Sequence, residues 1–338
     1  MSGQQETSMQ GKEDIMAEGR GFMRSRIILT AAELDLFTVI EDSSPTAEGI
    51  AGRLGLDRKA LERVLDCLVT FGLLAKEEGV YSLTEKSACY SSKHPFSILP
   101  MLRHMNDLWP SWSDLTEIVK KGQGIQQIPA GSAEDMEIRR AFIGAMHAVG
   151  RTLSEEIAGS LELSGFRKLL DIGGGSGTYT IAFLRRNPQL KAILFDLQNV
   201  IPMAKERIAA EGLLDRVELA AGDFYSDDLP AGCDLALLSA IIHQNNLQQN
   251  LELYRKAYLA LDPGGMLLIR DHIMDEQRTW PPEGALFAIN MLVRTHGGDT
   301  YSYNEVEQDL REAGFIDIRL MRTGERMDCV VGARKSGG

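Results

Sequence analysis

A chain of 338 residues has room for one large domain and a smaller one, and 44% hydrophobic with 25% charged residues is the composition of a folded globular protein. A formal charge of −12 disfavours nucleic acid and anionic membranes as general partners. The start, Met1–Gly19, lacks the apolar run of a secretory signal, and no window approaches eighteen apolar residues, so a cytoplasmic protein without a membrane span is expected.

The first region, Gly21–Ser92 within a domain over 1–96, reads as short helices followed by a hairpin. In Arg58–Phe71 the residues Leu61, Val64, Leu65 and Leu68 share one helical face, and Gly72 is a natural stop. Leu73–Ala75 and Val80–Leu83 then flank the turn Glu78-Gly79. This is the order of a winged helix, a fold that often binds DNA. Between Ala31 and Ser92, however, six Lys and Arg face eleven Asp and Glu, a balance of −5. A duplex-binding surface needs the opposite sign. Packing against another protein is therefore expected, with the apolar stretch Ile27–Ile40 as a dimer surface.

The second region, 97–161, reads as all-helical and carries Met101, Met105, Trp109, Trp112, Phe142, Met146 and His147. Such a stripe is compatible with plain core or with the wall of an apolar ligand pocket. The third, 162–338, alternates short apolar runs (Lys168–Ile172, Ala192–Phe195, Val217–Ala220, Asp234–Leu238, Met266–Ile269) with helical patterns. That alternation implies a parallel sheet with helices on both faces, and ligands bound at the carboxyl ends of its strands. Cys67, Cys89, Cys233 and Cys329 are far apart and read as inert thiols; no clustered Cys and His ligands suggest a metal.

Lys168–Ile172 runs into Gly173-Gly174-Gly175-Ser176-Gly177 and then a helical segment, Tyr179–Arg186. Glycines here let backbone approach a ligand, and a helix start offers free N–H groups to an anion. A nicotinamide fingerprint would place its third glycine at 178, which is Thr178. The spacing Gly173, Gly175, Gly177 behind Asp171 is instead the S-adenosylmethionine version, with Asp171 at the cofactor's amino-acid end. Asp196 closes the second strand, where a carboxylate takes ribose hydroxyls. Asp223 follows the third, where it accepts from the adenine amino group while Phe224 packs on the ring.

With these residues the chain resembles the class I O-methyltransferases of the plant caffeate, hydroxyindole and bacterial polyketide-tailoring type. The stretches that carry the resemblance are Leu170–Gly177, Phe195-Asp196-Leu197, Gly222-Asp223-Phe224, Ile241-Ile242-His243, Asp262-Pro263-Gly264-Gly265 and Gly297-Gly298. It implies a Rossmann-like domain with a mostly parallel seven-stranded sheet, an N-terminal winged-helix dimerisation domain, and a homodimer that methylates a hydroxyl of a small aromatic or polycyclic acceptor. S-adenosylhomocysteine would be the product, with no metal. The resemblance adds Leu197, Gly222 and Ser239 to the cofactor set; plant members often carry lysine at the position of Ser239. His243 takes the place of the general base and Asp271 that of its acidic partner, as Asp instead of the usual Glu. The second family acid falls at Thr300, beside Asp299. Gln244-Asn245-Asn246 stands where Asp-Trp and a further acid are usual. Met146, His147, Asn290 and Met291, with His296, are the implied acceptor residues. Transfer to carbon or nitrogen on the same scaffold, and a cofactor-sensing winged-helix regulator, remain alternatives at this point.

Overall fold

The computed structural model describes residues 2–43, 45–122 and 133–337, with side chains from residue 11 onward and, within 131–149, those of Ile143, Met146 and His147. The chain forms two compact units, Met1–Leu108 and Trp109–Gly338. Among the described residues no helix is long and apolar enough to cross a membrane.

The first unit holds helices α1 (Ser2–Glu33), α2 (Leu36–Ser43), α3 (Ala47–Leu54) and α4 (Arg58–Thr70), then strands β1 (Leu74–Glu77) and β2 (Val80–Leu83). Thr46 and Asp57 cap α3 and α4 by accepting from the amides of Gly49 and Ala60. The two strands pair antiparallel about Glu78 and Gly79, both at positive φ (48° and 83°), as a two-residue hairpin turn of the strand's own twist requires. Leu61, Leu65 and Leu68 of α4 are buried with Phe37, Ile50 and Tyr81.

Ile27–Ile40 differs from expectation. The helix breaks at Asp35 (φ 53°), and Ala31, Leu36, Phe37, Val39 and Ile40 are buried in the core of this unit, so they are not a free dimer surface. The exposed apolar side chains lie earlier on α1: Ile15, Met16, Phe22 and Met23 are 53–69% exposed. Their i, i+1, i+7, i+8 spacing makes one stripe on the helix. Gly11, Gly19 and Gly21 weaken the local helix signal of that segment, which is why its sequence does not read as a long helix.

Helix α5 (Leu99–Ser113) follows. The second unit continues with α6 (Leu115–Lys121), α7 (Ala133–Ser160), β3 (Lys168–Ile172), α8 (Thr178–Arg186), β4 (Lys191–Asp196), α9 (Ile201–Ala210), β5 (Val217–Ala221), β6 (Cys233–Ser239), α10 (Leu247–Ala260) and β7 (Leu261–Asp271). A two-residue ladder, β8 (Ile273–Met274) with β9 (Tyr301–Ser302), brackets α11 (Pro282–Arg294). Then come α12 (Tyr303–Glu312), β10 (Ile316–Arg322) and β11 (Cys329–Arg334). The sheet order is β10-β11-β7-β6-β3-β4-β5, parallel except where β11 pairs with β7 and β10.

Alternate residues of each strand go to opposite faces. Leu169, Leu194, Leu237 and Leu268 join α7, α8 and α9 in one core; Leu170, Ile193, Leu238 and Ile269 join α10 and α12 in the other. Each fully buried leucine or isoleucine contributes roughly 1.5–3 kcal/mol. The chain leaves β3 to one side for β4 and β5 and to the other for β6 and β7. A crevice therefore opens at the carboxyl ends of β3 and β6.

Candidate active site

Five adjacent strands deliver the predicted polar residues to that crevice. In spatial order they are Asp271 ending β7, His243 after β6, the glycine loop after β3, Asp196 ending β4 and Asp223 after β5.

The loop turns through Gly173, Gly175 and Gly177 at φ 70°, 57° and 81°. Gly174 has ordinary backbone but no room: a Cβ there would lie 2.7 Å from Leu194 Cγ and 3.0 Å from Asp171 Cγ. The Gly175 amide donates to Asp196 Oδ2 at 2.7 Å, and the Leu197 amide donates to Oδ1 at 2.7 Å. Gly222 presses on Phe195, whose ring would be 2.5 Å from a Cβ. Asp223 accepts from the Tyr225 amide at 2.9 Å, and Phe224 packs on the Tyr225 ring at 4.5 Å. Asp171 is fully buried beneath the loop and accepts from Thr180 Oγ1 at 2.5 Å. Burial pushes its pKa up to about 6, with the Thr180 bond opposing and Asp196 adding to the rise. The turn thus leaves a glycine cradle that side chains would fill, rimmed by carboxylates on three neighbouring strands. A nucleoside carrying ribose hydroxyls, an exocyclic amine and an amino-acid tail fits that donor and acceptor set.

His243 sits in a 3-10 turn, Ile242–Gln244, just after β6. Its Nδ1 lies 2.9 and 3.0 Å from the two oxygens of Asp271, which is fully buried and also accepts from the His272 amide at 2.8 Å. Burial raises the Asp271 pKa, but the His243 ring, its hydrogen bond and the His272 N–H outweigh it and the net shift is downward. A carboxylate held there fixes the proton on Nδ1 and leaves Nε2 as the acceptor. The ring of Phe287 from α11 stands edge-on to His243 at 4.9 Å and meets His272 at 5.0 Å. The sequence analysis did not single out Phe287, although it lies three and four residues before Asn290 and Met291 on one helix.

Neither second-acid candidate is bonded to His243. Asp299 pairs with Arg278 at 3.0 Å, and Thr300 Oγ1 donates to the Gly284 carbonyl at 3.3 Å. The atypical run after His243 has local work instead. Buried Asn245 donates to Asn250 Oδ1 at 2.9 Å, accepts from Tyr225 Oη on its side chain and from Tyr301 Oη on its carbonyl. Asn250 returns to the Ile242 carbonyl at 3.0 Å, and Asn246 caps α10. These bonds clamp the turn that carries His243. Gly298 closes against it: a Cβ there would be 2.4 Å from the His243 carbonyl oxygen.

The remaining sequence candidates are spread more widely. Asn290 accepts from Trp112 Nε1 at 3.1 Å. Met291 is buried, Met146 is 38% exposed, and His296 is exposed. His147 Nδ1 is 2.8 Å from Thr178 Oγ1 at the start of α8, and burial, aided by Arg207 and Arg151, pushes its pKa down to about 4. Ser239 Oγ is buried beside the Tyr179 hydroxyl.

Two family models match: the O-methyltransferase domain over residues 112–316 and the O-methyltransferase dimerisation domain over 19–93. The tetracenomycin polyketide synthesis 8-O-methyl transferase of Streptomyces glaucescens is 31% identical, over 93% of this chain and 94% of that protein. Acetylserotonin O-methyltransferase of Gallus gallus is 30% identical, over 95% and 96%. Human N-acetylserotonin methyltransferase, solved in complex with S-adenosylmethionine, superposes with a TM-score of 0.85 at 26% identity, covering 97% of this chain and 98% of that one.

Proposed function

The chain belongs to the family of S-adenosylmethionine-dependent O-methyltransferases, and we propose that it methylates a hydroxyl of a small aromatic or polycyclic acceptor with His243 as general base. The observation that carries this reading is the His243–Asp271 pair at the ends of β6, the neighbour of β3, and of β7 beyond it.

When bound, S-adenosylmethionine supplies an electrophilic methyl on a sulfonium and leaves as S-adenosylhomocysteine. Asp196 and the Leu197 turn hold the ribose, Asp223 and Phe224 with Gly222 the adenine, and Asp171, Gly173, Gly175 and Ser239 the amino-acid end. A phenol with a pKa near ~10 is mostly protonated at neutral pH. Nε2 of His243 takes its proton as the oxygen attacks, Asp271 keeps the imidazole in the required tautomer, and the reading requires no metal. Phe287 gives an aromatic acceptor an edge to pack on. Asn290, steered by Trp112, and Met146, Met291 and His147 complete the acceptor side. The relatives named for polyketide and acetylserotonin O-methylation support an acceptor of this class.

The chain works as a homodimer through its N-terminal unit, and the α1 stripe Ile15, Met16, Phe22 and Met23 is the surface offered to the second copy. The acid excess of Ala31–Ser92 supports protein packing there over nucleic acid.

Incubation with S-adenosylmethionine carrying a labelled methyl and a panel of phenols tests the reaction. The expected product carries the label on oxygen, located by mass spectrometry. Label found only on carbon or nitrogen of every accepted compound refutes the hydroxyl assignment.

A further inference from the structure

The loop after β5 and the turn after β6 are not neighbours in the sheet, because β3 and β4 lie between their strands. No strand ladder therefore holds one in register with the other, and side chains have to do it.

The first of the two is rigid in itself. Asp223 accepts from the Tyr225 amide on Oδ1 at 2.9 Å and from the Ser226 and Asp227 amides on its carbonyl at 3.0 and 2.7 Å. Asp227 Oδ2 accepts in return from the Asp223 amide at 2.8 Å. Lys256 of α10 donates to the carbonyls of Phe224, Tyr225 and Asp227 at 2.9, 3.0 and 2.9 Å. With the backbone held so closely, the Tyr225 phenol keeps only its side-chain torsions, and Phe224 packs on its ring.

The phenol is half exposed, yet its hydroxyl reaches Asn245, which is fully buried. From there the bonds run to the base. Asn245 Nδ2 donates to Asn250 Oδ1 at 2.9 Å, and Asn250 Nδ2 donates to the Ile242 carbonyl at 3.0 Å. Their direction is fixed from the inner end, because a carbonyl only accepts. Asn250 must give its NH₂ to Ile242 and its oxygen to Asn245. Asn245 must then give its NH₂ to Asn250 and its oxygen to Tyr225. Only a donating hydroxyl completes the series. Burial and the nearby Asp223 push the Tyr225 pKa up, which keeps that proton in place. Ile242 opens the 3-10 turn, and His243 is the next residue.

We propose that Tyr225 is a positioning residue for the transfer: with adenine on Phe224, its hydroxyl sets the turn through Asn245 and Asn250 and so places His243 towards the acceptor. This rests on the cofactor placement and base assignment proposed above, and adds that the nucleoside end and the base are joined through the protein.

Tyr225→Phe removes one oxygen, keeps the ring on Phe224 and leaves the core untouched. Two measurements test it: kcat with a phenol against affinity for S-adenosylhomocysteine, and heteronuclear NMR of histidine-labelled protein titrated with adenosine. The His243 signals are assigned with His243→Ala. Adenosine fills the nucleoside end but has neither the sulfur nor the amino-acid tail, so a response of His243 to it passes through the protein. Wild-type His243 signals should shift on adenosine binding. In Tyr225→Phe most of that shift should vanish, and kcat should fall roughly 5- to 50-fold, the range of one buried acceptor left unsatisfied, with affinity for S-adenosylhomocysteine within about threefold. A role in stability alone lowers the melting temperature of the variant but leaves kcat and the adenosine response at wild-type levels; that result overturns the proposal. So does a wild-type His243 that ignores bound adenosine. Failure of wild type to bind adenosine or S-adenosylhomocysteine overturns the cofactor placement, and normal turnover by His243→Ala overturns the base assignment, each taking this proposal with it.

Discussion

Asp271 meets His243 with both carboxylate oxygens, at 2.9 and 3.0 Å from Nδ1, from the strand next to the one that carries the histidine. The shorter Asp, standing where relatives of the resembled type have Glu, is therefore long enough. The 3-10 turn brings the ring to the end of β7, and the His272 amide holds the carboxylate from behind.

Replacing His243 with Ala removes the proton acceptor and leaves the loop, Asp196 and Asp223 untouched. Turnover should fall by about 10²–10⁴, while the affinity for S-adenosylhomocysteine stays within about twofold. Normal turnover of a phenolic acceptor by this variant would exclude His243 as base.

Asp271→Asn keeps an oxygen where Oδ1 meets both the His272 N–H and His243 Nδ1, but it removes the negative charge and places an NH₂ against Nδ1 where Oδ2 stood at 3.0 Å, which opposes a proton on Nδ1. A loss of about 10–10³ in kcat and of roughly 1–3 kcal/mol in stability is expected. The folded-state pKa of Asp271 lies below its ordinary value, so its stabilisation is present above that value and lost only as pH falls through the lowered one. The Asp271 part of the difference in unfolding free energy between wild type and variant should therefore shrink as pH falls below about 4.

Gly298→Ala drives a Cβ into the His243 carbonyl, backbone against side chain with nothing flexible to yield. Displacing the turn by a fraction of an ångström should lower kcat by about 10–10²-fold with cofactor affinity preserved. Equal losses in both would mean that the change spreads beyond the turn.

With Asp171 at the amino-acid end as proposed, cofactor binding acquires a pH dependence. With its pKa raised to about 6, it is anionic at pH 8 and increasingly neutral below 6, where it no longer attracts the ammonium of the amino-acid end. Binding of S-adenosylhomocysteine should weaken as pH falls through 6, by at most about tenfold per unit, and Asp171→Asn should remove this component. The sign for folding is opposite. A carboxyl whose pKa rises on folding favours the folded state at low pH, so this group's contribution weakens as pH rises from about 4 to 6. Titrations from pH 5 to 8 on both proteins read the first effect, and matched melting curves the second.

Met16→Glu with Phe22→Glu places charge on the exposed stripe of α1 without touching the core of its unit. Sedimentation should show a dimer for wild type and a monomer for the double variant. A dimer that survives the change would move the interface elsewhere.

The sequence by itself determined what is local and periodic. Alternating apolar runs fixed the strands from β3 to β7, since a strand buried on both faces needs continuous hydrophobic residues. Strand-end acids and the glycine spacing marked the crevice at the carboxyl ends of β3, β4 and β5, because those features depend on backbone shape a few residues long. Long-range partnership was decided only by the tertiary structure. Asp299 lies next to the position of a second acid but turns to Arg278, and Asn245, which replaces part of a familiar motif, is a buried clamp joined to Tyr225 and Tyr301. Arg270 and Tyr179 are ninety-one positions apart and meet because adjacent strand and helix ends converge. In Ile27–Ile40 the apolar pattern was legible, but whether it faced a partner or its own core depended on a break at Asp35. Periodicity reports that a face is buried; only packing in three dimensions decides against what.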